Sequence, residues 1–194
     1  MPKISEQHRR ERSELILAAA MRCFARAGVA ATSVADIHRE SGVSVGGIYR
    51  YFASKQEMLM AIATAEQRRL NETLTRVVAG ADAPEDLLGA LVGALVEFRD
   101  SHPVDVNRLA VAGWLEAADN AELSELLGSS FAVLAEALGG RLAEWGVPAG
   151  ERGELVQMLR ILVMGTIAVG VIDPGAGSLP STRGLRALAS FVGL

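Results

Sequence analysis

Apolar side chains along the first sixty residues follow a helical rhythm that is repeatedly cut and restarted. From Ser13 onward, Leu15, Ile16, Ala19, Ala20, Cys23, Phe24 and Ala27 recur at i, i+1, i+4, i+5 and i+8, the spacing that lines one face of a helix. Gly28 stops this first helix at its C-terminal cap. Thr32 and Ser33 then offer N-cap hydroxyls for a second helix, Val34 to Ser41, which Gly42 closes. Ser44 caps a third, shorter helix running to about Tyr51, and Ser54 opens a fourth, with Glu57 three residues on completing a capping-box pattern. That fourth helix is expected to reach Val78 or Ala79, with Glu66, Gln67, Arg69, Glu72 and Arg76 on its polar face, before Gly80 ends it.

Beyond Gly80, broad apolar stripes rich in small residues predict helices over about 84–101, 104–119, 121–145, 151–172 and 181–192. Their breaks fall at Pro84, His102-Pro103, Asp119-Asn120, Gly146 to Gly150 and the Pro- and Gly-bearing run Asp173 to Pro180. The expected fold is all-α: an N-terminal three-helix helix-turn-helix domain at 1–55, followed by a C-terminal helical bundle at 56–194.

Composition agrees with this pattern. Half of the residues are apolar but only 5% are aromatic, a mixture dominated by Ala, Leu and Val that suits helices better than sheets. The single Cys23 has no partner for an internal disulfide, and the N-terminus lacks the basic-then-apolar layout of a secretory signal, so a reducing cytoplasm is the expected home. The most apolar stretch, Leu155 to Ile172, contains Gln157 and Arg160. Its uncharged part, Ile161 to Ile172, is too short to cross a bilayer, so a buried helix and no membrane partner are expected.

Charge is divided unevenly. The formal net charge is -4, yet residues 1–60 hold nine Lys/Arg against six Asp/Glu while the remainder holds ten against seventeen. A polyanion would therefore meet the N-terminal end. Arg9, Arg10 and Arg12, placed ahead of the first helix, alternate with Glu6, Glu11 and Glu14. A solvated face is their default reading, and only their position raises a nucleic-acid alternative.

The segment Thr32 to Lys55 carries the candidate chemistry. A helix-turn-helix needs a first helix across the DNA backbone, a sharp turn, and a second helix whose outward residues reach base edges in the major groove. Gly42 supplies the turn. Val34, Ile37, Val43, Ile48 and Phe52 are spaced to pack the two helices together, which leaves Gly46, Tyr49 and Arg50 pointing away. Two successive glycines, Gly46 and Gly47, each cost about 1 kcal/mol in a helix relative to Ala, and close approach to another molecule's backbone is one reason to bear that.

The ordered set Phe24, Gly28, Thr32, Ser33, Ile37, Gly42-Val43-Ser44, Ile48-Tyr49, Tyr51-Phe52, Ser54-Lys55 and Leu59 resembles the DNA-binding domain of the tetracycline-repressor (TetR) family, over about residues 10–60. The resemblance implies a ligand-responsive repressor that binds a pseudo-palindromic operator as a dimer. It implies that Ser33, with Thr32 nearby, meets a backbone phosphate; that Ser44, Val45, Gly46 and Gly47 lie against base edges; that Tyr49, Tyr51 and Lys55 meet phosphates; and that Arg50 reaches either. Hydroxyls, helix N-termini and Lys are the usual phosphate donors, which fits those roles. The chain departs from the family pattern at two positions. His38 replaces a small Ala packed against the recognition helix, which implies a slight tilt of the helix pair. Val45 replaces a polar or basic residue, which implies a methyl contact to thymine instead of a hydrogen bond.

The resemblance further implies that the last two long helices, about 151–172 and 181–192, pair with their copies in a second subunit. Leu155, Met158, Leu159, Leu162, Val163, Thr166, Ile167 and Gly170 form the apolar band such an interface needs, and some of them must also serve the chain's own core. An unidentified small-molecule effector would lie among the middle helices, with Phe98, Arg108, Leu109, Trp114, Leu115, Phe131, Leu134 and Met164 as candidate lining; a Met and a few aromatics at this spacing are more often core than pocket. No enzyme is expected: His8, His38 and His102 are scattered, and there is no Gly-x-Ser-x-Gly elbow, phosphate-binding Gly-Lys-Thr/Ser or Glu-x-x-His pair, so no catalytic residue, metal or cofactor is assigned. A helical scaffold that kept the fold without DNA binding is the main alternative.

Overall fold

The computed structural model describes residues 6–173. Among them run eight helices and no strand: α1 (Glu6–Ala27), α2 (Val34–Ser41), α3 (Val45–Ile48), α4 (Lys55–Gly80), α5 (Pro84–Asp100), α6 (Val106–Ala117), α7 (Ala121–Glu144) and α8 (Ala149–Ile172). The all-α class is as the pattern implied. The helix expected over 181–192 lies outside the described residues.

α1 begins well before Ser13, so Arg9, Arg10 and Arg12 sit on its opening turns and not on an arm ahead of it. The physical reason is local polar pairing, which apolar periodicity does not register. Glu6 lies in the first turn, where the helix dipole favours an acid, and Gln7 Nε2 donates to Glu11 Oε1 one turn on at 3.1 Å.

The described chain gathers into two compact units, one holding the residues up to Glu66 with Pro103–Ser124, the other Gln67–His102 with the residues from Glu125 onward. In the first unit α1 packs against α2 and α6. Ile16, Ala19, Ala20, Cys23 and Phe24 of α1 are buried with Ile37, Ile48, Met58, Leu59, Ile62 and Leu109. Burial pushes the Cys23 thiol above its ordinary value despite the opposing pull of Arg26, as befits a small core residue.

In the second unit α5 packs against α8. Leu87, Leu91 and Leu95 of α5, Leu127, Leu134, Leu138 and Leu142 of α7, and Leu159, Val163 and Ile167 of α8 supply its buried apolar stripes. Polar groups tie α4 to α7. Asn71 Nδ2 donates to Ser130 Oγ at 2.8 Å, and Ser130 Oγ donates to Gln67 Oε1 at 2.9 Å. The Arg141 guanidinium donates to the Ala81 carbonyl just past the end of α4, through Nε at 3.1 Å and through Nη2, and lies over the Trp145 ring at 5.0 Å.

The expectation of a buried helix over Leu155 to Ile172 holds for one side of it. α8 is buried on one side only, and Met158, Ile161, Val169 and Ile172 stand exposed on the other. By length and composition α7 and α8 are each apolar enough to cross a membrane, since the helix extends beyond the uncharged segment counted from sequence. Leu159, Val163 and Ile167 mark α8 as a core helix with a second apolar face.

Candidate nucleic-acid interface

The N-terminus of α2 is closed by a capping box. Ser33 Oγ accepts from the Asp36 amide at 3.2 Å, while the Asp36 carboxylate accepts from the Ser33 amide at 2.8 Å and from the Ser33 hydroxyl at 2.6 Å. The Ser33 hydroxyl, then the Ser33 amide, hold the Asp36 carboxyl below its usual range, with Arg39 assisting. At the other end Gly42 takes φ +68°, a left-handed conformation that suits glycine, and its amide donates to the His38 carbonyl at 2.8 Å.

Two residues past that turn, Ser44 caps α3, its Oγ accepting from the Gly47 amide at 3.2 Å. The helical body ends at Ile48, earlier than Tyr51. The chain then tightens, with Arg50 N–H donating to Gly47 O at 3.2 Å and Tyr51 N–H to Ile48 O at 2.9 Å. α4 follows with a shifted box: Ser54 Oγ accepts from the Glu57 amide at 3.1 Å, but the Glu57 carboxylate reaches the Ala53 amide at 2.6 Å.

Val43, Ile48 and Phe52 are buried beneath α3, as is Ile37 of α2, and Val34 is half-buried. Ser44, Val45, Gly46, Tyr49 and Arg50 are exposed together on the opposite side, Tyr49 at 51% and Val45 at 38%. Ser33 is exposed at the α2 N-terminus, and Gly47, Tyr51 and Lys55 are half-buried. Tyr51 lines a cleft of about 330 Å³ with Arg9, Arg10, Glu6 and Ser13.

Two sequence-named donors face inward. Thr32 is buried, and its hydroxyl donates to the Gly28 carbonyl at 2.7 Å. Lys55 Nζ donates to the carbonyls of Val29 at 2.6 Å, Thr32 at 2.9 Å and Ala30 at 3.3 Å.

One carboxylate that fixes this geometry leaves no sign in the sequence pattern. Glu40 of α2 accepts from Arg22 Nε of α1 at 2.7 Å and from Arg26 Nη1 at 3.5 Å. The Arg22 hydrogen bond chiefly depresses the Glu40 carboxyl. Nothing in local spacing signals that pair. The Ser33-x-x-Asp36 spacing, by contrast, was available as a capping-box cue.

The candidate effector residues divide between the units. Leu109 is buried, Trp114 half-buried, and Arg108 and Leu115 exposed in the first. In the second, Leu134 is buried and Phe98, Phe131 and Met164 are half-buried. Phe98 stacks on His102 with ring centroids 4.3 Å apart, and it alone of the eight lines a cleft of about 270 Å³ with Arg69, Glu72, Arg76 and Glu97. Of the proposed interface band, Leu159, Val163 and Ile167 are buried within the chain, Met158 is exposed, and Leu155, Leu162, Thr166 and Gly170 are half-buried.

A capped helix, a glycine turn and a second short helix anchored from beneath, with its polar and small residues outward, define a helix-turn-helix protein. Residues 16–62 match the family model described as bacterial regulatory proteins, tetR family. An HTH-type transcriptional regulator of Bacillus subtilis, YfiR, is 43% identical over 61 residues, covering 31% of this chain and 30% of that protein. A second, from Mycobacterium bovis, is 32% identical over 129 residues, covering 66% of this chain and 64% of its own length. The crystal structure of the transcriptional regulator FadR from Bacillus subtilis in complex with stearoyl-CoA shares the fold at a TM-score of 0.66 and 22% identity, over 92% of this chain and 94% of that one. The chain thus spans between 30% and 64% of the length of these two relatives. Residues 16–62 therefore form a helix-turn-helix region of the tetR type, and the described chain shares the fold of solved regulators.

Proposed function

We propose that the protein is a cytoplasmic, ligand-responsive transcriptional repressor, not an enzyme, that binds a pseudo-palindromic operator as a homodimer. The single observation carrying this reading is the exposed cluster Ser44, Val45, Gly46, Tyr49 and Arg50 on a short capped helix whose underside, Val43, Ile48 and Phe52, is buried. Ser44 to Gly47 meet base edges, with Val45 offering methyls to a thymine methyl; Ser33, Tyr49 and Tyr51 meet phosphates, and Arg50 reaches either. Thr32 and Lys55, whose donors are spent on carbonyls of the 28–32 turn, serve by holding that turn where Ser33 meets the backbone.

One four-residue helix touches only a few base pairs, so a dimer is needed to read a useful site. The outward apolar stripe of α8 supports such pairing. Effector control requires only that a small molecule bind one conformational state of the regulatory helices better than another, as stearoyl-CoA occupies the related fold of FadR. A mobility-shift titration with the DNA upstream of the protein's own gene tests the reading: a specific complex that outlasts competitor DNA is expected, and binding no tighter than to competitor overturns it.

A further inference from the structure

Resting on the DNA-binding reading above, the geometry points to a further residue of that interface: we propose that His38 is a positioning residue that sets the orientation of α3 for base reading by clasping the backbone of Val43. The His38 side chain is half-buried, with Nδ1 2.8 Å from the Val43 carbonyl. A carbonyl oxygen only accepts, so Nδ1 carries the proton and donates. The His38 carbonyl meanwhile accepts from Gly42 N–H at 2.8 Å, so one residue holds the turn through both its main chain and its side chain. Ser41 Oγ accepts from Val43 N–H at 3.1 Å. Both polar groups of the Val43 backbone are thereby fixed by α2 side chains, while the Val43 side chain is buried beneath α3.

Val43 immediately precedes Ser44, the N-cap of α3. A helix of four residues has little stiffness of its own. Its apolar anchors, Val43 and Ile48, resist its leaving the surface, but hydrophobic contact is non-directional and permits rocking. The directional bond from His38 opposes that motion. Phosphate contacts tolerate a few degrees of tilt, whereas hydrogen bonds to base edges do not. His38 therefore governs discrimination between sequences and leaves general affinity for duplex DNA alone.

The test uses the full-length protein and two duplexes of equal length: one selected by the wild-type protein from a random pool, and the unselected pool itself. Anisotropy titrations at one fixed salt concentration give the preference as a ratio of affinities. His38→Leu keeps bulk without a donor, and His38→Asn places Nδ2 where Nδ1 stood. Losing one hydrogen bond is expected to lower the preference of His38→Leu by roughly three- to tenfold with pool affinity unchanged, and His38→Asn restores most of it. Ser41→Ala, which frees the Val43 amide, shifts the ratio in the same direction and serves if His38→Leu fails to give the wild-type helical circular dichroism. An unchanged ratio, an equal loss on both duplexes, or no rescue by Asn overturns the positioning role. If the wild-type protein selects no sequence at all, the operator-binding reading itself falls and takes this role with it.

Discussion

At Gly46 a Cβ would meet nothing within 4 Å, whereas at Gly47 it would stand 3.0 Å from both Ser44 Oγ and Val43 Cγ1. The two neighbours therefore lack a side chain for different reasons. Gly47 leaves room for the cap beneath it, and no contact within the described residues explains Gly46. Gly46→Ala should leave the fold intact or stabilise it by up to about 1 kcal/mol, the helix-propensity difference, while weakening operator binding through the methyl it adds to the groove face. Gly47→Ala should lower the melting temperature, because the Ser44 cap must shift. Thermal melts beside binding titrations check both, and Gly46→Ala binding as tightly as wild type would remove the groove assignment. The Glu40 carboxyl makes a separate prediction. Its folded pKa lies below the unfolded value, so its contribution to stability is complete above the ordinary Glu range, about pH 4.3, and is lost as pH falls through the folded pKa. Glu40→Gln should lower the melting temperature at neutral pH and narrow its gap from wild type in melts taken well below pH 4. A gap independent of pH would show that the Arg22 pairing contributes nothing.

Among the elements, helix ends announced by a single residue were legible in the sequence. Gly28, Ser33, Gly42 and Ser44 mark the ends of α1 to α3 because a cap is a contact between near neighbours. The buried underside of α3 was legible too, since Val43, Ile48 and Phe52 keep helical spacing. What sequence spacing could not reveal was where long polar side chains turn back. Lys55 looks like a phosphate contact beside a predicted DNA surface, yet its ammonium closes on three carbonyls that lie far back along the chain, between α1 and α2. The early start of α1 was hidden for a related reason, because Glu6 to Arg12 stabilise helix through charge placement without any apolar repeat. Thermal melts beside a salt series of binding titrations separate the two kinds of residue. Tyr49→Phe should weaken binding to all duplexes similarly, by about 1.5–3 kcal/mol for one hydrogen bond from a neutral hydroxyl to a charged phosphate, with the log–log salt slope unchanged because no cation is removed. Lys55→Ala should lower stability and, its donors being engaged within the protein, also leave that slope unchanged. A slope smaller by about 0.9 in Lys55→Ala would instead return this lysine to a phosphate.

For the whole molecule the unresolved demand is the outer face of α8. Ile161 and Ile172 are 66% and 82% exposed in the single chain, and Met158 and Val169 continue the stripe, while Leu159, Val163 and Ile167 are already committed to the chain's own core. An apolar band of this length on one helix is what an interface presents and what a solvated surface avoids. A two-fold axis through it places the same side chains on both partners, so one substitution acts twice. Ile161→Arg would set two like charges across that axis. Because the position is exposed in the lone chain, its folding should survive, with helical circular dichroism as the control. Sedimentation velocity should then show a monomer, against the dimer expected of the wild type. Operator affinity should fall by about 10² or more, since the second recognition helix is no longer delivered at high effective concentration. A variant that remains dimeric and binds normally would remove α8 from the interface and leave its outer face to another partner.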